Sequence, residues 1–297
     1  MDNQESIDFL KSFDLNVYKH SSNLLTKFND WDKFKDNKPK LNSKQKEALP
    51  SIFEKYKIYI EFQEKTIGYT EPIIIERVKK LNDYYEFIKS NNYDNIFTSQ
   101  GKLRPTILEE FMFILFRDLI NDKKKLFNNN KDQLKIGSSR AYTNLFFSGT
   151  NFEEFINTPQ IGINQKDQDF AIYRPIDISI GNSNSITTNL PIVAVENKTY
   201  IDKTMLEGSI ATAEKIKSGN PYSLFFIVTE TYDVDLKIDP KYSKIDQIYV
   251  LRKSKRNEEF QPIHSDVVVE LVEVVKYHLE RNWSDVENKL RNEGKIL

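Results

Sequence analysis

Two stretches decide the reading of this chain: Arg174-Pro175-Ile176-Asp177-Ile178-Ser179 and, downstream, Pro191-Ile192-Val193-Ala194-Val195-Glu196-Asn197-Lys198. Each sets charge inside or at the end of an apolar run, the texture of a β-strand. Side chains alternate across a strand, so Glu196 and Lys198 share one face while Asn197 joins Val193 and Val195 on the other. Acid and base emerge side by side. If the strand carrying Asp177 pairs with this one, two carboxylates and an ammonium converge. Hard oxygen ligands of that kind suit Mg²⁺, which polarises a phosphoryl oxygen and acidifies a bound water. Lys198 can then position or activate that nucleophile and neutralise developing charge.

The flanks supply a scaffold. Leu224–Thr229 and Gln247–Leu251 carry further strand signals, and Lys203–Lys217, between Ile192–Val195 and Leu224–Thr229, places Leu206, Ile210 and Ala213 at helical spacing. The order is strand, strand, helix, strand. Upstream, Ala141–Phe147 opens the strand-rich half, and Ile176–Ile180 and Ile192–Val195 are its central runs. Thr106–Phe116, after Pro105, reads as an apolar core helix with Thr106 as N-cap and Glu109 and Glu110 near its start. Ser51–Gln63 and Pro72–Ser90 mix charged and apolar residues at helical spacing, and Ser265 is a candidate cap for a closing helix carrying Val268, Leu271, Val272, Val275 and Leu279. The expected architecture is α/β: a mixed sheet flanked by helices over residues 101–297, preceded by a mainly helical region, 1–100, with a role in DNA recognition.

Composition narrows the chemistry. The 297 residues are 39% hydrophobic and 29% charged, a globular balance. With no cysteine there is no disulfide, thiolate nucleophile or Cys-ligated zinc, and the three scattered histidines give a serine triad few parts. The nine glycines form no phosphate-cradling loop. No apolar run approaches the roughly 18 residues needed to span a bilayer, so a cytoplasmic protein without a membrane partner is expected. Lys plus Arg, 43, nearly balance Asp plus Glu, 44. That does not exclude nucleic acid, because phosphate binding depends on where cations cluster.

Taken together, Pro175-Ile176-Asp177 and Glu196-Asn197-Lys198 resemble the two motif elements of the PD-(D/E)xK nuclease superfamily, with 196 − 177 = 19 positions between the acids. Ile176 departs from the literal Pro-Asp pair. The resemblance implies a restriction-endonuclease-like fold and a type II restriction endonuclease: Mg²⁺-dependent, specific for double-stranded DNA, acting as a homodimer. It implies Asp177, Glu196 and the backbone carbonyl of Asn197 as metal ligands, Lys198 as the catalytic base partner, and a further acid at Glu109 or Glu110, with Glu109 preferred. Glu207 either supports the site or is a solvated helix residue, the second being favoured. Two stretches are candidates for facing DNA: Ser138, Ser139 and Arg140 beside Gly137, otherwise a surface turn, and Arg252, Lys253, Lys255 and Arg256, otherwise a solvated loop. Two rival readings are a repair, recombination or mobile-element nuclease of the same superfamily and a non-catalytic DNA-binding protein.

Overall fold

A computed structural model describes residues 3–97, 103–126, 133–179, 185–294 and 296. Six helices come before the main sheet: α1 (Asn3–Lys11), α2 (Lys19–Asn29), α3 (Ser43–Lys65), α4 (Glu71–Ser90), α5 (Tyr93–Ile96) and α6 (Leu103–Lys125), with a short hairpin of β1 (Phe34–Lys35) and β2 (Lys38–Pro39) after α2. The helix-rich opening half expected from spacing is what forms. Asn42 starts α3 with a reciprocal capping box with Gln45, and Pro72 lies in the first turn of α4, where a missing N–H costs nothing. Thr106 is not a cap. Helix α6 begins at Leu103, and the Thr106 hydroxyl, inside the helix, donates back to the Leu103 carbonyl at 2.9 Å.

The sheet runs in the order β3 (Lys135–Ser148), β4 (Gln160–Ile178), β5 (Ile186–Ile201), β6 (Leu224–Tyr232), β7 (Gln247–Val250), with α7 (Phe152–Asn157) between β3 and β4, α8 (Lys203–Gly219) after β5 and α9 (Ser265–Glu280) last. Pairs β3–β4 and β4–β5 are antiparallel, while β5–β6 and β6–β7 are parallel. The sheet is therefore mixed, and the right-handed logic of β5–α8–β6 places α8 across one face. Strands β3, β4 and β5 are longer than their apolar runs, because polar residues continue the pairing beyond the core. Ile180, the last residue of one expected strand, and the 100/101 boundary lie outside the described residues.

The two sheet faces have different partners. Val193, Val195, Phe226 and Val228 pack into a large core with α1–α4, α6 and α9, whereas Ala194, Phe225 and Ile227 pack with Leu206, Ile210, Ala213 and Ile216 of α8. The helical region thus shares a core with the sheet. Asn82 of α4 reinforces the junction by exchanging two 2.8 Å hydrogen bonds with the backbone of Ile263 just before α9.

Candidate active site

Strand β5 holds Glu196, Asn197 and Lys198 in extended alternation, beyond its last backbone pair with β4, Phe170↔Val195. From there β4 stays with β3 while β5 stays with β6. In the opening between them lies Asp169, whose Oδ2 accepts a 2.9 Å hydrogen bond from the Asn197 backbone N–H and sits 3.6 Å from the Lys198 ammonium. A carboxylate here takes the amide that a neighbouring strand would otherwise satisfy. Both charged side chains are about one-third exposed, 36% and 30%, so the pair is open to a large substrate.

A β-bulge helps aim Asp169. Gly137 pairs with Ala171 and Ser139 with Gln168, leaving Asp169 and Phe170 opposite Ser138. Bulges re-aim a side chain and are common beside active sites. Gly137 has φ +130°, and a Cβ there would stand 2.9 Å from Val17 Cγ1, so the backbone at this irregularity requires glycine.

Glu196 faces α8 together with Lys198, and the buried Ser209 hydroxyl of α8 donates to Glu196 Oε2. Asp202 caps this helix by accepting from Met205 N, which fixes where its first turns lie. Asn197 points to the opposite face and is buried. Asp169 Oδ1 and Glu196 Oε1 have no hydrogen-bond or ion partner among the described residues. Asp169, beside the Lys198 ammonium, and Glu196, on the same strand face as Lys198, offer oxygen donors that match the chemistry of a hard divalent cation. Among the described residues no cluster of three or more His, Asp or Glu gathers to hold a metal, so the acid set is limited to this pair.

A family model for the Bpu10I restriction endonuclease matches residues 100–261, which contain this opening and both strands that line it. The chain belongs to the Bpu10I restriction endonuclease family. It is therefore a type II restriction endonuclease, a site-specific deoxyribonuclease that binds DNA, and the family uses a divalent metal. Family membership sets aside the repair and non-catalytic readings. Among solved structures it resembles a chain of the native BbvCI A2B2 tetramer, with TM-score 0.61 and 22% identity, covering 90% of this chain and 96% of that one. That likeness is one of fold. No curated protein matches the chain.

Within this restriction enzyme, Asp177 is not beside Glu196. It pairs with Thr187, whose hydroxyl donates to Asp177 Oδ1 at 2.6 Å, and Thr187 precedes Glu196 by 196 − 187 = 9 positions on β5. At about 3.3 Å per residue that is roughly 30 Å of strand. Register explains the error: antiparallel partners in this hairpin sum to 365 near the opening and 364 near the turn, so the position facing Glu196 is 169. The signal was present in the sequence. Gly181-Asn182-Ser183-Asn184-Ser185 is turn-rich, and reflecting Glu196 across it lands on Phe170, one position from Asp169, which heads the apolar run Phe170-Ala171-Ile172.

Glu110 is also corrected. Its carboxylate is fully buried, accepting from the His20 and Ser21 backbone N–H groups, both at 2.9 Å, and from the Tyr56 hydroxyl at 2.8 Å. It caps α2 and ties that helix to α3. Burial pushes it up to about 7, partly offset by those three donors. Glu109, one residue earlier, is half-buried on α6. Glu207 is exposed and pairs with Lys203 at 3.8 Å, the solvated alternative.

The DNA-facing candidates divide. Lys135–Arg140 is strand rather than turn: Ser138 is exposed at the bulge, Ser139 is buried and accepts from Asn189 Nδ2 at 3.0 Å, and the exposed Arg140 lies 3.6 Å from Asp167. Ser139 is thus a packing residue. Arg252 is likewise not available to DNA. It is 1% exposed, bound at 2.8 Å to the fully buried Glu230, and sandwiched with the Tyr85 and Phe260 rings. Burial pushes the Glu230 carboxyl up, but Arg104 and Arg252 outweigh it and hold the group below the usual carboxylate range. Lys253 is bound to Asp266 at the start of α9, while Lys255 and Arg256 remain exposed.

Proposed function

We propose that this enzyme hydrolyses phosphodiester bonds of double-stranded DNA in the opening between β4 and β5, with Asp169, Glu196 and Lys198 as the reacting set and Mg²⁺ as the metal. The observation that carries the assignment is the convergence of Asp169 and Lys198 at 3.6 Å, at the point where the two strands part. Asp169, Glu196 and the Asn197 backbone carbonyl would hold the metal, which when bound supplies Lewis acidity to the phosphoryl oxygen and a lowered pKa to water. The remaining work belongs to the chain. Asn197 N–H orients the Asp169 carboxylate, and the Ser209 hydroxyl orients that of Glu196. The Lys198 ammonium, beside Asp169 and one-third exposed, orients the attacking water and meets the negative charge that grows on the phosphoryl oxygens.

The expected homodimer and cytoplasmic location belong to the same reading. Cutting two strands with one site per chain calls for two copies, and no helix among the described residues is long and apolar enough to cross a membrane. Single-turnover cleavage of a duplex tests the assignment. Asp169→Asn and Glu196→Gln should abolish cutting while Asp177→Asn cuts as wild type does. Loss of activity in Asp177→Asn with activity kept in Asp169→Asn would return the site to the far end of the hairpin.

A further inference from the structure

The loop after β7 carries four cations in five residues, Arg252 to Arg256, but the fold treats them differently. Arg252 and Lys253 are neutralised by Glu230 and Asp266. Arg256 has no carboxylate within ion-pair distance among the described residues, and its guanidinium instead lies 3.7 Å from the centroid of the Tyr200 ring. The acid closest in sequence, Glu258, is turned to the loop backbone, where it accepts from Lys255 N at 2.8 Å. Tyr200 itself is anchored in the sheet, paired with Thr231 of β6.

Tyr200 is two positions beyond Lys198 on β5, but strict alternation does not run through to it: Ala194 and Ile201, an odd number of positions apart, both pack against α8. Two positions are about 7 Å, the scale of one nucleotide step. A stacked guanidinium keeps its five N–H donors in its own plane, parallel to the ring and free to engage phosphate oxygens in a bidentate fashion. The exposed Arg256 and the half-buried Tyr200 line a cleft of about 460 Å³, whose wall holds the cations Lys89 and Lys255, Arg104 already paired with Glu230, and the acids Asp94, Glu258 and Glu259.

Resting on the active-site reading above, we propose that Arg256, presented by Tyr200, grips a backbone phosphate of the DNA that this site cuts. The contact is to phosphate and not to a base, so it helps hold the duplex without adding sequence preference. Stacking removes much of the rotamer freedom that a loop arginine would lose on binding.

The test is equilibrium binding of the full chain to a random-sequence duplex and to a cleavable one, in Ca²⁺ so that cutting does not interfere, across a salt series. For Arg256→Ala the slope of log affinity against log salt should fall by about 0.9, the value for one phosphate contact. Both duplexes should weaken alike, and a fourfold rise in salt should cost the variant about 3.5-fold less affinity than it costs wild type. Arg256→Lys should keep the slope while binding more weakly, and Tyr200→Phe, which retains the ring, should behave as wild type. Arg256 is exposed, so unchanged melting of Arg256→Ala is the folding control. An unaltered slope in Arg256→Ala overturns the proposal, as does a loss confined to the cleavable duplex, which would mark a base contact. Failure of the wild-type chain to bind either duplex would instead remove the active-site reading on which the proposal rests.

Discussion

Asp169 and Glu110 are both carboxylates that accept backbone N–H groups, yet they belong to regions built for opposite ends. At the strand opening Asp169 takes one amide, stands near an ammonium and keeps an oxygen with no partner among the described residues. In the helical region Glu110 takes two amides and a phenol, has both oxygens committed and is sealed from water. An unsaturated, one-third-exposed carboxylate has lone pairs left for something the chain does not itself supply. A saturated, buried one has spent them on the fold. Their surroundings, not their chemical type, separate a site from a strut.

The largest effects should come from the open region. Lys198→Ala keeps both metal-ligating carboxylates while removing the ammonium, and single-turnover cleavage should fall by about 10² to 10⁴. Duplex affinity, which comes from many phosphate contacts, should change little. Glu110→Ala should do the converse. It strands two buried N–H groups and leaves the Tyr56 hydroxyl with Ser21 Oγ alone, costing about 3 kcal/mol in urea unfolding, with cleavage retained where the chain stays folded. A cleavage defect in folded Glu110→Ala as large as that of Lys198→Ala would erase the contrast.

Ser209→Ala sharpens it from a third direction. Ser209 contacts the site only through Glu196, so its loss should leave stability nearly intact but raise the divalent-metal concentration for half-maximal cleavage by about tenfold, the low end for an outer-shell partner. Addition of excess metal should recover most of the rate. A defect that metal does not relieve would make Ser209 a packing residue of α8.

The parts legible in the sequence were those set by local pattern. Val193-Ala194-Val195 ahead of Glu196-Asn197-Lys198 announces a buried strand ending in a charged pair, and the Leu206, Ile210, Ala213 spacing announces α8 over it. What failed depended on register or tertiary pairing. Asp177 satisfied a spacing rule that counts positions along the chain, whereas convergence depends on position across the hairpin. Arg252 looks like its neighbours in a basic run, and only the arrival of Glu230 from β6 makes it a buried partner instead of a solvent-facing charge. Thr106 looked like a cap because Pro105 precedes it, but α6 starts earlier, and proline is tolerated in a first turn.

A pH-dependent effect concerns two buried groups whose titrations oppose each other. Burial holds the Glu110 carboxyl up at about 7 and drives the His20 imidazole down to about 3, with Lys27 adding to the latter. Glu110 is raised on folding, so its contribution to stability is fully present below the ordinary carboxylate range and is lost as pH rises toward 7. His20 is lowered on folding, so its contribution is present above the ordinary imidazole range and is lost as pH falls toward 3. Between about pH 4.5 and 6.5 both act at once, each by about 1.4 kcal/mol per pH unit and with opposite sign. The wild-type slope from this pair should be close to zero. Glu110→Gln leaves His20 alone, so stability should fall relative to wild type by about 3 kcal/mol on acidification across that window. His20→Gln leaves Glu110 alone and should produce a rise of similar size. Urea unfolding at three pH values checks both, because every other carboxylate contributes equally to the three proteins and cancels in the difference. Parallel stability curves for wild type and both variants would mean that neither group titrates differently on folding, and the account of Glu110 as a sealed strut would lose its electrostatic support.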